Sequence, residues 1–348
     1  MKFKKTLASV LCVAMFLLLL AGCGGNGGSG GSGGDSSGGD SSGGDSTEQI
    51  FNIKLAHGLA DDHAVHIAMT AWSEEVREKS GGSINIEIVP NGTLGSETDC
   101  LNSITMGALE MAKVSASVLG NFEPEWNVVS VPYVFNDKDH YYKVMDGEIA
   151  QEMYGLTEKD GFIGLTWLES GARSFYTADK AIRTPADLTG LKIRTMDSQM
   201  AIDMMAALGG SAQVMGYSDI YSGMQTGVIN GAENNVTALR DHKDVTKYYC
   251  FDEHTRIPDI IVISAKTWEQ MSDNQKEIMK TTAAEMSDNY KTAWKDFEDE
   301  VLAMADNVEL IRDVDIPAFQ AACQSIYEKL KTNDPAVYAY VERIQAAA

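Results

Sequence analysis

Cysteine and proline are both scarce in this chain, with five and seven residues among 348. Cys12 falls in an N-terminal apolar run and Cys23 just beyond it. That leaves Cys100, Cys250 and Cys323, an odd number without any Cys-x-x-Cys pair. At most one disulfide can form among them, buried free thiols are the simpler expectation, and no cysteine metal site is suggested. Positive charge is short as well: 28 Lys and Arg stand against 50 Asp and Glu, for a formal charge of −22. Nucleic-acid binding is thereby excluded, because it needs a basic surface to neutralise phosphates. Catalytic and cofactor signatures are missing too, with no Gly-x-Ser-x-Gly elbow between strand and helix, no His-Glu-x-x-His and no Walker loop. A secreted hydrolase, the rival from another class, lacks a recognisable nucleophile-base pair. In so acidic a chain an anionic ligand must be held by a few local cations, since salt screens the overall field beyond about 8 Å.

No apolar run is long enough to span a bilayer, which takes roughly 20 residues. The longest, Leu7 to Leu20, follows Lys2, Lys4 and Lys5 and closes on Leu20-Ala-Gly-Cys23, the layout of an export signal over residues 1–22. Leu-Ala-Gly-Cys resembles the lipobox of bacterial lipoproteins, which implies lipidation at Cys23 and anchoring outside the cytoplasm at the cell membrane. Removing 1–22 takes three lysines and no acid, so −22 becomes −25. Residues 23–48 are nearly all Gly, Ser and Asp and read as a flexible tether. About 300 residues remain, enough for two lobes.

Beyond the tether, strand and helix patterns alternate. Phe51 to Leu55 reads as a strand, Ala64 to Lys79 as a helix with Ile67, Ala71 and Val76 on one side, Ser83 to Val89 as a strand ended at Pro90-Asn-Gly92. Ser96 to Met106 reads as a helix and Leu109 to Val114 as a strand, giving a βαβαβ unit with a parallel sheet. The rhythm returns in Phe162–Trp167, Leu191–Arg194, the helix Gln199–Leu208, the strand Gln213–Met215, a helix from an N-cap at Ser218 to Thr226, and the strand Val228–Glu233. The expected fold is α/β, two-lobed and periplasmic-binding-protein-like. Ser272-Asp-Asn-Gln275 fits a capping box opening a helix that runs unbroken to about Ala305, roughly 50 Å long and able to bridge both lobes. Residues 49–170 with 260–300 are assigned to lobe I, and 171–259 with 301–348 to lobe II.

In such sheets ligands sit beyond the carboxyl ends of the strands. His57, Glu97, Ser115, Arg194 and Asn234 all fall there. Arg194 ends a strand, and its planar fork can grip a carboxylate in bidentate fashion; an ordinary surface ion pair is the competing reading. Arg173 reads as a loop residue with the same alternative, and Asn234-Asn235, from composition, as a polar turn. His57, His63 and His66 lie close together without an accompanying metal motif, so no metal is assigned and His57 is left as a hydrogen-bond donor. His254 is a weaker candidate beside it.

With these residues in view, the chain from about Phe51 to Lys331 resembles the extracytoplasmic solute receptors of TRAP transporters, the DctP family. The landmarks are Pro90-Asn-Gly-Thr-Leu-Gly-Ser-Glu97, Met106-Gly-Ala-Leu-Glu-Met111, Val131-Pro-Tyr-Val-Phe135, Thr184 to Arg194, and Ile220 to Asn234. The resemblance implies that Arg194 pairs with a ligand carboxylate, that Asn234 bonds the same ligand and that Arg173 assists. It further implies contacts from Glu97 and Ser115 and an aromatic contact from Tyr217. Two lobes closing on a small organic anion and delivery to small and large permease subunits follow from it, with no cofactor. Asn235 stands where the family often has proline, Asn230 where it often has aspartate, and Thr195-Met-Asp197 where Val-Pro usually follows the arginine. Glu97, Asn235, Asp197, His57 and His254 could meet hydroxyl groups, and Glu253 to Asp259 resembles members that take uronates. A hexuronate or related sugar acid is therefore expected, with a C4-dicarboxylate as the alternative if Arg173 serves as a second cation.

Overall fold

The computed structural model describes residues 48–348. The export segment 1–22, Cys23 and all but the last residue of the tether 23–48 lie outside the described residues. Glu48, that last residue, is fixed by hydrogen bonds from Ser272 (2.6 Å) and Asn274 (3.2 Å). Among the described residues no helix is long and apolar enough to cross a membrane. Cys100, Cys250 and Cys323 are buried free thiols.

Eleven strands form two sheets: β1 Phe51–Ala56, β2 Ile84–Val89, β3 Met111–Ser115, β4 Phe162–Leu168, β5 Arg173–Thr177, β6 Lys192–Thr195, β7 Ser211–Val214, β8 Gly231–Asn234, β9 Tyr248–Thr255, β10 Asp259–Ser264 and β11 Glu309–Ile311. The first sheet runs β2-β1-β3-β10-β4 and the second β11-β9-β5-β8-β6-β7. Each contains a parallel trio in the same order, β2-β1-β3 and β7-β6-β8, built by strand-helix-strand-helix-strand. Within a trio the first strand lies between the other two, so successive connections run in opposite directions from it and leave a crevice at its carboxyl end.

The sheets are not wholly parallel. β10 lies antiparallel between β3 and β4, and β5 lies antiparallel between β8 and β9. Both inserted strands are buried along their entire length. Two-sided burial removes the alternation by which a half-exposed strand is recognised. Arg173, expected in a loop, is the first residue of β5.

The helix Ala64–Lys79 has its expected limits but turns another face inward. Val65, Met69, Trp72 and Val76 are buried, while Ile67 is 59% exposed. Trp72 sets this rotation by donating to Thr282 Oγ1 at 2.9 Å. Ser218 does not cap a helix: a single 3-10 turn, Tyr217–Asp219, precedes the helix Ile220–Gln225, and no side chain caps either.

Asp273–Met304 is one helix of 32 residues opened by the Ser272–Gln275 capping box, about 48 Å long. Its buried stripe runs through Met279, Ala283, Met286, Tyr290, Trp294, Phe297 and Val301. The helix packs on Ala64–Lys79 and β4 in the first lobe and on Val236–His242 in the second, and so spans both. The C-terminal helix Pro335–Ala346 packs against Pro124–Ser130. Arg343 pairs with Glu152 at 2.6 Å and the Ile344 carbonyl meets His140 Nε2 at 2.8 Å. Residues 335–346 thus lie with the first lobe, a departure from the division at 301, whereas β11 joins the second sheet.

Candidate functional site

A cavity of about 520 Å³ lies where the carboxyl ends of the two parallel trios face each other. That is within the range of small-molecule sites. The loop after β1, Ser115 at the end of β3, Arg194 and Met196 around the end of β6, and Asn234 at the end of β8 all line it.

Arg194 sits in β6 beside Ala232 of β8 and is 4% exposed. Its Nε donates to the Met215 carbonyl at 2.9 Å, which fixes the plane of the guanidinium. Nη1 and Nη2 have no hydrogen-bond partner among the described residues. Burial lowers the Arg194 pKa, and the nearby Glu233 and Tyr176 only partly oppose it. The group is a desolvated cation, and an arginine does not lose its proton to escape that cost.

Arg173 has all three guanidinium nitrogens engaged. Nε and Nη2 grip the Glu233 carboxylate at 2.7 and 3.0 Å, Nη2 also reaches the Glu233 carbonyl at 2.8 Å, and Nη1 donates to Asn234 Oδ1 at 2.7 Å. Because Oδ1 also accepts from the Asn235 backbone N–H (2.9 Å), the Asn234 amide is oriented with Nδ2 left to donate. Behind the pair, His254 bridges Asp252 (2.6 Å) and Glu233 (3.3 Å). Burial disfavours the charged ring, yet the two carboxylates outweigh it and push the His254 pKa up to about 9. Burial likewise opposes Glu233 ionisation, but Arg173 and His254 hold its pKa down at about 2. Gly171 admits the chain to this corner: its φ is +66°, and a Cβ there would fall 2.6 Å from Glu298 Oε1.

On the facing wall, Glu97 opens the helix Glu97–Thr105, which is capped by Ser96. Glu97 Oε1 accepts from the Ser115 backbone N–H at 3.1 Å and from Lys113 Nζ at 3.3 Å. Lys113, 4% exposed in β3, also pairs with Asp259 Oδ1 at 3.0 Å. Burial works against this ammonium, but Asp259 and Glu97 prevail and raise its pKa. Ser115 Oγ accepts from Ser117 N–H at 3.4 Å. Tyr217 contributes its ring to the wall, its hydroxyl being committed to Asp241 at 2.8 Å.

Two expected residues do not reach the cavity. His57 faces away: Nδ1 accepts from the Leu59 N–H at 3.2 Å and Nε2 meets His66 Nδ1 at 3.0 Å, so its ring closes the turn after β1. His254 has no exposed surface and lies behind Glu233. His63 takes the wall position instead, capping the helix Ala64–Lys79 and meeting Phe297 edge-on at 4.8 Å. Burial, with Lys113 next, pulls its pKa down to about 3, so the ring is neutral. Lys113 and Asp259 were not anticipated. A lysine amid the apolar residues of Met111-Ala-Lys-Val-Ser115 was the available signal.

The rims of the lobes touch. Thr98 donates to Asp197 Oδ2 at 3.0 Å, Asn121 Nδ2 to the Asp197 carbonyl at 2.8 Å, and Arg240 Nη1 to Asp62 Oδ1 at 2.7 Å. The walls are thereby held close enough to reach one small molecule together.

Two sheets with matched crevices, a helix spanning both and a cavity between the lobes lined by the Arg194 guanidinium define a two-lobed solute-binding protein. Residues 55–333 match the bacterial extracellular solute-binding protein family 7, DctP, and the chain belongs to that family. It is 38% identical over 301 residues to the uncharacterized protein YiiZ of Salmonella typhimurium, covering 85% of this chain and 91% of that one. The crystal structure of a TRAP periplasmic solute-binding protein from Pseudomonas putida F1 with bound D-glucuronate is similar at a TM-score of 0.81 and 33% identity, over 85% of this chain and 97% of that one. One from Bradyrhizobium sp. BTAi1 in complex with D-galacturonate gives 0.82 and 30%, over 85% and 100%.

Proposed function

We propose that this protein is the receptor of a TRAP transporter for a hexuronate or closely related sugar acid, tethered outside the membrane through a lipidated Cys23, and that it hands its ligand to the permease subunits. The observation that carries the reading is the Arg194 fork, buried, fixed by Met215 and with no hydrogen-bond partner for Nη1 or Nη2 among the described residues. A carboxylate meets both terminal nitrogens, and Asn234 Nδ2 donates to the same group or its neighbour. Charge-assisted hydrogen bonds of this kind contribute about 1.5–3 kcal/mol each. Glu97, Ser115 and Asn235 then address the hydroxyl-bearing remainder, and Tyr217 offers its ring. Arg173 acts by holding Asn234 in place. His57 and His254 support the site from behind it. Solved relatives holding glucuronate and galacturonate favour the same class of ligand.

Binding is a physical cycle with no bond made or broken. Ligand admitted to the open form draws the lobes together, because only the closed form offers both walls at once. A thermal-shift panel of uronates, aldonates and C4-dicarboxylates tests the reading. A hexuronate is expected to give the largest rise, since ligand at 100 times its Kd adds about 2.7 kcal/mol. A rise with C4-dicarboxylates alone would sink it, and turnover of a sugar acid by the pure protein would point to a hydrolase instead.

A further inference from the structure

The cavity walls hold three cationic side chains, Lys113, Arg173 and Arg194. Among the described residues, Arg194 alone has both terminal guanidinium nitrogens without a hydrogen-bond partner. Arg173 spends its fork on Glu233 and Asn234. Lys113 is shared by two carboxylates, Glu97 at 3.3 Å and Asp259 at 3.0 Å, so that corner carries one negative charge more than it neutralises. Ser170 donates to the other oxygen of Asp259 at 3.3 Å, while Glu97 Oε2 has no partner among the described residues. Among the described residues, the wall facing Arg194 therefore presents acceptors and excess negative charge, and no unpaired donor cation.

We propose that the Glu97–Lys113–Asp259 triad makes this a one-carboxylate site, so that the ligand is a monoanionic polyhydroxy acid and the matching diacid is turned away. The proposal rests on Arg194 being the carboxylate clamp, as argued above. A hydroxyl at the far end of the ligand donates to Glu97 Oε2. A carboxylate there meets two others across a single, almost fully buried ammonium. Lys113 is a positioning residue in this account. It holds the two acids in place rather than gripping ligand itself. Removing one acid leaves one carboxylate against one ammonium, so the corner becomes neutral and no longer repels a second carboxylate.

The test uses matched pairs of six-carbon acids, D-glucuronate with D-glucarate and D-galacturonate with galactarate, titrated calorimetrically into the whole protein and into Glu97→Gln and Asp259→Asn. The unaltered protein is expected to bind the monoacid of the better pair at least about tenfold more tightly than its diacid, and each variant to shrink that ratio by about tenfold. Thermal melts identify a variant that fails to fold, in which case the other decides. Equal binding of monoacid and diacid by the unaltered protein overturns the proposal, as does an unchanged ratio in a folded variant. No binding of any of the four acids removes the reading of Arg194, and the proposal falls with it.

Discussion

At the scale of single residues, the site depends on a line of side chains that leads from the interior to the cavity wall. Asp252, His254, Glu233 and Arg173 form a buried, alternately charged chain ending on Asn234. Its pH dependence follows from the two shifted groups. The His254 pKa is raised from 6.5 to about 9, so its contribution is complete below about pH 6.5 and is lost as pH rises through 9. The Glu233 pKa is lowered from 4.5 to about 2, so its contribution holds above 4.5 and is lost as pH falls through 2. Between pH 6.5 and 9.5 the unfolding free energy should fall by an amount on the order of 1–3 kcal/mol, read from urea denaturation. The same titration of His254→Gln should give a flatter profile, and identical slopes would rule the histidine out as the cause. Arg194 was legible in the sequence because a strand-ending arginine after Leu191 and Ile193 has a defined direction. Arg173 was misplaced in a loop, and Lys113 went unread, because each is fixed by partners 60 or more positions away, Glu233 for the one and Asp259 for the other.

Among the elements, β8 does most to aim the site. Its first residue, Gly231, packs so tightly on β5 that a Cβ would lie 2.2 Å from the Tyr176 carbonyl oxygen and 2.9 Å from Thr177 Cα, both backbone atoms. Gly231→Ala must therefore push β8 off its neighbour, displacing Asn234 three residues on. The expected cost is about 1–3 kcal/mol in urea unfolding, together with weaker binding of the best sugar acid. A variant of unchanged stability and affinity would show that the strand pairing tolerates the shift. Strands with one open face, β1 and β2, were readable from alternation. β5 and β10, buried on both faces, were not. The inner face of Ala64–Lys79 was misjudged because Trp72, not Ile67, finds a partner in the long helix.

For the molecule as a whole, the central claim is that two lobes spanned by one 32-residue helix present the Arg194 guanidinium to an anion between them. The two-lobed architecture and its bridging helix were legible from the recurring strand-helix pattern and the uninterrupted run after Ser272. The interleaving of β10 into the first sheet and the return of Pro335–Ala346 to the first lobe were not, since both depend on contacts between segments far apart in the chain. Arg194 belongs to the second lobe and Glu97 to the first, so a ligand held by both resists their separation. Calorimetric titration of the best hexuronate into the unaltered protein and into Arg194→Ala tests the claim most directly. The account predicts that the variant, melting as a folded protein, loses at least about a hundredfold in affinity, as expected when one partner of a buried charge pair is removed. Full affinity in the folded variant would contradict it.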